Sequence, residues 1–364
     1  MNDSTTPWLN RCHFGDVRDV LRRMIADGVK VQTIVTSPPY WGLRDYGVEG
    51  QIGLEPTVQE FIAVMVDVFD LARQVLAEDG TAWINMGDCY ATGAGKVNTA
   101  PGGGTQGERW AGIRGDDKYR AIGPLTQPNR MPQPGLKPKD LVGQPWRLAF
   151  ALQDAGWWLR SDIVWSKPNP MPESCKDRPT KSHEYLFLLA KSEKYFFDFD
   201  AFQEPTTGGA HARSTGGHPA GWAIGEGSHH AVQHNTPKAI AGTGVGFGRG
   251  YDKQAKPRVK NNSSMDAALR DMPNTRNRRT VWTIPTQAYS GAHFATFPEA
   301  LVEPCILAGC PVGGTVLDIF FGSGTTGQVA QRLGRNFIGI DLNPANEPLQ
   351  LERLRQPGLP LETA

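Results

Sequence analysis

Apolar residues along this chain recur at two different spacings, and the spacings alternate. Val17 to Ala26 has helical spacing, with Val20, Leu21 and Met24 on one face, and Val31 to Val35 is a short strand-like run. Thr57 to Leu76 predicts an amphipathic helix, because Phe61, Val64, Met65, Val68, Leu71, Ala72 and Val75 recur at steps of three and four and Glu78-Asp79-Gly80 stops the pattern. Thr81 to Asn85 reads as a strand. A helix over Leu141 to Leu152 ends at Gly156, strands follow at Trp157 to Trp165 and Glu184 to Ala190, and Lys194 to Phe199 is expected to pair with the latter as a hairpin. A helix over Glu299 to Ala308 precedes the run Thr315 to Thr326, which reads as a strand and a glycine turn. Gly327 to Leu333 is then helical, Asn336 to Asp341 a strand and Leu349 to Leu354 a short final helix. Strands alternating with helices predict a doubly wound, mostly parallel α/β sheet.

Two turns carry the candidate chemistry. Thr36-Ser37-Pro38-Pro39-Tyr40 closes the strand-like run at Val35. Successive prolines fix φ twice and remove two backbone donors, so the carbonyls of Ser37 and Pro38 are presented as acceptors, which suits an amino group. Tyr40 offers a flat face to a planar heterocycle, and Trp41 is expected to extend it. A proline-rich turn after a buried strand is the alternative. In Phe320-Phe321-Gly322-Ser323-Gly324 the glycines let a cofactor approach backbone, and Asp341, ending the next strand, suits ribose hydroxyls. The dinucleotide spacing Gly-x-Gly-x-x-Gly is absent, since Thr325-Thr326-Gly327 follows Gly324, so a nucleoside without a pyrophosphate fits better.

Together, Thr36 to Tyr40 and Asp318 to Thr326 resemble the S-adenosylmethionine-dependent amino-methyltransferases of DNA in the circularly permuted β arrangement. In that class the catalytic loop comes early, the target-recognition segment follows and the glycine loop comes last. The resemblance implies a seven-stranded Rossmann-like methyltransferase sheet with an irregular target-recognition insertion. It gives Ser37, Pro38, Pro39 and Tyr40 the catalytic role. To the cofactor it assigns Asp16, Phe297, Pro298, Asp318, Phe320, Gly322, Ser323, Gly324, Thr325 and Asp341, although Asp16 fits a helix N-cap equally well. Lys167, Pro168 and Asn169 match the loop beside the target-base pocket. Serine heading the catalytic loop is commoner in N4-cytosine members, and Asp or Asn in N6-adenine members, so cytosine is favoured over adenine. An RNA-modifying or non-catalytic nucleic-acid-binding protein on the same fold is the competing class. Tyr40 stands where a carbon-5 cytosine methyltransferase needs a thiol, which excludes that chemistry.

Composition refines this picture. From Tyr90 to Lys139 the chain is rich in Gly, Pro, Asn and Gln and predicts no packed core. The expected divisions are therefore 8–89 and 140–203 as the catalytic half, 90–139 as a mobile insertion, 204–280 as a basic recognition region and 281–364 as the cofactor half. Net charge is only +1 over 364 residues, so DNA binding needs a local patch. Pro205 to Arg279 supplies one, with eleven Lys and Arg against four Asp and Glu. Arg249, Lys256, Arg258, Lys260, Arg276, Arg278 and Arg279, together with Lys167, are the candidate contacts to duplex DNA. A solvated linker is the alternative reading of that stretch. The five cysteines are scattered without C-x-x-C spacing and the histidines lack metal spacing, so no metal is expected. Nothing resembles a signal peptide or a membrane span, which predicts a cytoplasmic protein, and the family resemblance adds a possible homodimer.

Overall fold

The computed structural model describes residues 3–43, 45, 47–91, 135–205, 275–287 and 297–355. In chain order the elements are β1 (Arg11–Phe14), α1 (Val17–Ala26), β2 (Val31–Thr36), α2 (Val58–Val75), β3 (Leu76–Met86), α3 (Gln144–Asp154), β4 (Trp158–Ser166) and β5 (His183–Ala190). They continue with α4 (Phe199–Phe202), β6 (Glu204–Pro205), β7 (Thr275–Arg276), β8 (Val281–Thr283), α5 (Glu299–Gly309), β9 (Thr315–Asp318), α6 (Thr325–Arg332), β10 (Asn336–Asp341) and α7 (Glu347–Arg355). Contacts divide the chain into two units, Met1–Gln203 with Asn277–Ala364, and Glu204–Arg276. In the second unit the described residues are β6 and β7, paired antiparallel with Glu204 opposite Arg276.

The first unit holds one sheet in the order β1-β10-β9-β2-β3-β5-β4-β8. Only the pairings of β5 are antiparallel, so β5 alone runs against the other seven strands. The sheet has eight strands, one more than the seven expected. The addition is β8, whose Trp282 is buried and whose flanking Val281 and Thr283 are exposed, a run too short for its alternation to be read from sequence. The permutation is visible in the sheet itself: the late strand β10 lies between the first strand, β1, and β9.

Side chains leave the sheet on alternate sides, as a period of two requires. Ile34, Ala82, Ile84, Ile338 and Ile340 join one core with α1, α2 and α3, while Val35, Trp83, Val316 and Phe337 join the other with α5 and α6. Helix α2 shows why the pattern folds so. Phe61, Met65, Val68, Phe69, Ala72 and Val75 are fully buried, each large side chain contributing about 1.5–3 kcal/mol of transfer free energy. Thr57 and Glu60 form a capping box at its start, worth about 1 kcal/mol.

Two boundaries differ from the expected ones. Strand β3 begins at Leu76, directly after α2, because the exposed Glu78 and Asp79 form an irregularity within it and do not end it. Lys191 Nζ donates to the Leu76 carbonyl at 2.8 Å, and the amides of Lys191 and Phe196 donate to Gly80 and Asp79. Both edges of β5 are paired, with β3 and with β4, so it has none left for a hairpin with Lys194 to Phe199. Asp198 instead caps the short helix α4. Among the described residues no helix is long and apolar enough to cross a membrane.

Candidate active site

Strand β9 leads through α6 to β10 on one side of the sheet, and β2 leads through α2 to β3 on the other. Their adjacent carboxyl ends are thus a topological switch point, where doubly wound sheets open a crevice for ligands. Both sequence motifs sit there. Asp318 ends β9, and its buried carboxylate accepts from Thr36 Oγ1 at 2.7 Å, Thr326 Oγ1 at 2.6 Å and the Phe320 amide at 3.1 Å. One carboxylate therefore joins the end of β2 to both sides of the glycine turn.

The turn is shaped by its aromatics. Phe321 stacks on Phe337 with ring centroids 5.4 Å apart, over Gly339 and Gly327, where an added Cβ would stand 2.5 and 2.7 Å from the ring. Gly324 heads α6 with φ +85°, a left-handed conformation that glycine adopts freely. Asp341 accepts from the Asn343 amide at 2.8 Å, Asn346 Nδ2 at 3.0 Å and Gln350 Nε2 at 3.2 Å. Gln350 also donates to the Gly322 carbonyl, and Arg353 Nη1 donates to the hydroxyls of Ser323 and Thr325. Sequence reasoning missed Asn346, Gln350 and Arg353. Gln350 and Arg353, three apart, share a face of α7 and Asn346 immediately precedes it, a signal masked by the shortness of that segment.

Burial pushes Asp318 and Asp341 up to about 6 each, despite the hydrogen bonds they accept. Their ordinary value is 3.8, so between the two values the folded chain binds more protons than the unfolded one. The stability they contribute is fully present below about pH 4 and is lost as pH rises through 6. Urea unfolding of the ligand-free protein is expected to show this as a fall of about 1 kcal/mol per group between pH 5 and 7. The fall should be missing when Asp318→Asn and Asp341→Asn are combined.

On the other side of the crevice, Ser37 Oγ donates to Asn85 Oδ1 at 3.3 Å, and Asn85 Nδ2 donates to the Tyr185 carbonyl at 3.1 Å. Among the described residues nothing donates to the carbonyls of Ser37 or Pro38. The Tyr40 hydroxyl donates to Glu184 Oε2 at 2.9 Å, and its ring edge rests on Gly87, where a Cβ would lie 2.8 Å from Cε2. Burial, then the Glu184 carboxylate, raises the Tyr40 phenol well above its ordinary value. Trp41 does not extend the stacking face. It is 3 % exposed, its indole donates to the Glu55 carbonyl and its amide to the buried Gln144 side chain. Asp88, at the end of β3, accepts from the amides of Gly143 and Gln144 and so caps α3, whose own N-cap is a glycine.

The remaining candidates separate. Asp16 is the N-cap of α1, accepts from the Arg18 amide and pairs with the Arg18 guanidinium, which holds its carboxyl below the ordinary value. It stands just past Phe14, the register partner of Asp341. Pro298 caps α5, and Phe297 packs beside it on the second core. Phe320 packs against the first core. Lys167 pairs with Glu184 and lies 4.2 Å over the Trp165 ring. Asn169 exchanges hydrogen bonds with the backbone of Thr286, and Pro168 is exposed. Arg276 pairs with Glu204, and Arg278 lies over Phe202 and Trp282 while donating to the Phe202 carbonyl. Lys167, Arg276 and Arg278 are thus engaged internally, which a charge count cannot reveal. Arg279 is exposed; Arg249, Lys256, Arg258 and Lys260 lie outside the described residues.

Comparison with known proteins agrees with this geometry. A family model described as DNA methylase, of the N6/N4 methyltransferase type, matches residues 31–349. The type II methyltransferase M.Cfr9I of Citrobacter freundii is 43% identical over 341 residues, covering 94% of this chain and 86% of its own. M.SmaI of Serratia marcescens is 41% identical, with 93% and 89% covered. Among solved structures, PvuII DNA methyltransferase (cytosine-N4-specific) aligns with a TM-score of 0.51 at 17% identity, over 94% of this chain and 85% of that one. TTHA0409 of Thermus thermophilus, a putative DNA modification methylase complexed with S-adenosyl-L-methionine, aligns at 0.50 and 19%, over 95% and 93%. The two solved structures share the fold, the family match spans most of the chain, and the chain belongs to the N6/N4 DNA methylase family.

Proposed function

We propose that this protein methylates the exocyclic N4 of cytosine in duplex DNA, on a base turned out of the helix. As a DNA methylase it is an S-adenosylmethionine-dependent enzyme. The residues at the crevice suit that cofactor: the Asp341 carboxylate ends β10 beside the glycine turn, to which Gln350 ties it, a fit for a nucleoside carrying free hydroxyls. When bound, it supplies a methyl group activated on a sulfonium.

The observation that carries the reading is the orientation of Ser37. Asn85 Nδ2 is committed to the Tyr185 carbonyl, so Asn85 Oδ1 faces Ser37 and takes its hydroxyl proton. Ser37 Oγ, which also shares a hydrogen bond with the Tyr40 hydroxyl, thereby keeps acceptor capacity for an amino group, as do the carbonyls of Ser37 and Pro38. Accepting both amino hydrogens draws the nitrogen toward tetrahedral geometry and frees its lone pair for attack. The amino nitrogen would take the methyl group that the cofactor supplies and release one proton to water. No covalent enzyme intermediate is required. Because the amino group is paired inside a duplex, the base must leave the stack, at a cost of a few kcal/mol, and stacks on Tyr40. Action on DNA also fits a cytoplasmic place of work.

Incubation with S-adenosylmethionine and unmethylated genomic DNA, followed by nucleoside mass spectrometry, tests the reading. N4-methylcytosine is the expected product. N6-methyladenine would keep the mechanism and overturn the base assignment, 5-methylcytosine would overturn direct transfer, and an unmodified digest would overturn DNA as the substrate.

A further inference from the structure

Glu184 has both carboxylate oxygens occupied at the mouth of the crevice, by Lys167 on one and the Tyr40 hydroxyl on the other. The sheet brings these groups together. Strands β4 and β5 are antiparallel with Trp165 opposite Glu184 and Ser166 opposite His183, and the Lys167 amide continues the ladder to the Ser182 carbonyl. Lys167 therefore emerges beside Glu184 with its ammonium over the Trp165 ring. Gly87, at the end of β3, leaves bare backbone beneath both partners: a Cβ there would meet the Tyr40 ring at 2.8 Å and the Glu184 side chain at 3.2 Å.

Stability alone does not account for the arrangement. Half-burying an ion pair and a phenol hydroxyl carries a desolvation cost, which a phenylalanine over an apolar neighbour would avoid. What the polar set provides is direction. The hydroxyl fixes the far end of the ring, and the prolines before it fix the near end.

We propose that Glu184 is a positioning residue that holds Tyr40 by its hydroxyl in the orientation that receives the target base, and that Lys167 holds Glu184. The inference rests on the reading of Ser37 to Tyr40 as the methyl-transfer loop. It gives Lys167 a role within the site, in place of a phosphate contact.

A double-mutant cycle with Tyr40→Phe and Glu184→Ala tests it, read as kcat on DNA, as affinity for S-adenosylmethionine and as fluorescence of 2-aminopurine at the target position. Each single change is expected to lower kcat by about tenfold and to reduce the flipped-base signal, with cofactor affinity unchanged within about twofold. In the Tyr40→Phe background, Glu184→Ala is expected to add less than about a twofold loss. Glu184→Gln, which keeps an acceptor and the side-chain volume, should retain more activity than Glu184→Ala when Tyr40 is present and match it in the Tyr40→Phe background. Full additivity, or a matching loss of cofactor affinity, would show that Glu184 only supports the fold. That result would overturn the positioning role while leaving the methyl-transfer reading intact. Wild-type protein that methylates no amino group would overturn both.

Discussion

Tyr40→Ala is expected to lower kcat/KM for DNA methylation by about 100-fold while leaving affinity for S-adenosylmethionine within about twofold. Stacking of a base on an aromatic ring is worth about 1–3 kcal/mol, and that energy offsets part of the cost of taking the base from the duplex. The substitution removes the whole platform, whereas Tyr40→Phe removes only its tether. Alanine should therefore be the worse of the two by about tenfold. Among the described residues the phenol hydroxyl has its partners in Glu184 on β5, in Ser37 after β2 and in the backbone of Gly87 after β3. Calorimetry with S-adenosylmethionine and steady-state kinetics on a defined duplex separate the two sides. An equal loss of cofactor affinity would contradict a role on the DNA side.

Asp318→Ala should damage both sides at once. Its carboxylate accepts from two hydroxyls that are themselves buried, Thr36 at 1 % exposure and Thr326 at 0 %, and from the Phe320 amide. Each donor left without an acceptor costs about 1–3 kcal/mol, offset in part by relief of the buried carboxylate's own desolvation, so a net loss of about 2–4 kcal/mol is expected in urea unfolding. Cofactor affinity and turnover should fall together, because the same group fixes the glycine turn and the catalytic loop. Asp318→Asn should lie between alanine and the wild type. Its amide oxygen can still accept, but its amino group must face a donor.

Much of this was legible in the sequence because it depended on local pattern. Alternation placed β2, β4, β5 and β10 to within a residue or two, and helical periodicity placed α1, α2 and α5. The glycine turn was legible because Gly322 and Gly324 precede a helix and Asp341 ends the next strand. What escaped notice depended on partners distant in the chain. Trp41 looked like a stacking surface until Gln144 and Glu55 were seen to hold it in the core. Lys167 read as a pocket residue and a DNA contact, and its pairing was hidden because Glu184 lies seventeen residues away on an antiparallel neighbour. Asp88, just past β3, supplies the cap that Gly143 cannot, with its partner 55 positions away in the chain. Asp16 satisfies the helix-cap reading directly, and its place beside the end of β10 keeps it at the cofactor side.

The hydrogen bond from Thr36 to Asp318 spans 282 positions of the chain. Strand β2 is made early and β9 late, so the loop after β2 has no bracket until most of the chain has been synthesised and β9 has inserted beside β2. Contacts of such separation form slowly, because the entropy of closing a long loop must be overcome before they can stabilise anything. The crevice is therefore among the last features of the sheet to assemble. A nascent chain that has not reached β9 lacks both the acceptor for Thr36 and the late-strand residues Leu317, Ile338 and Ile340 that complete the core under α1 and α2.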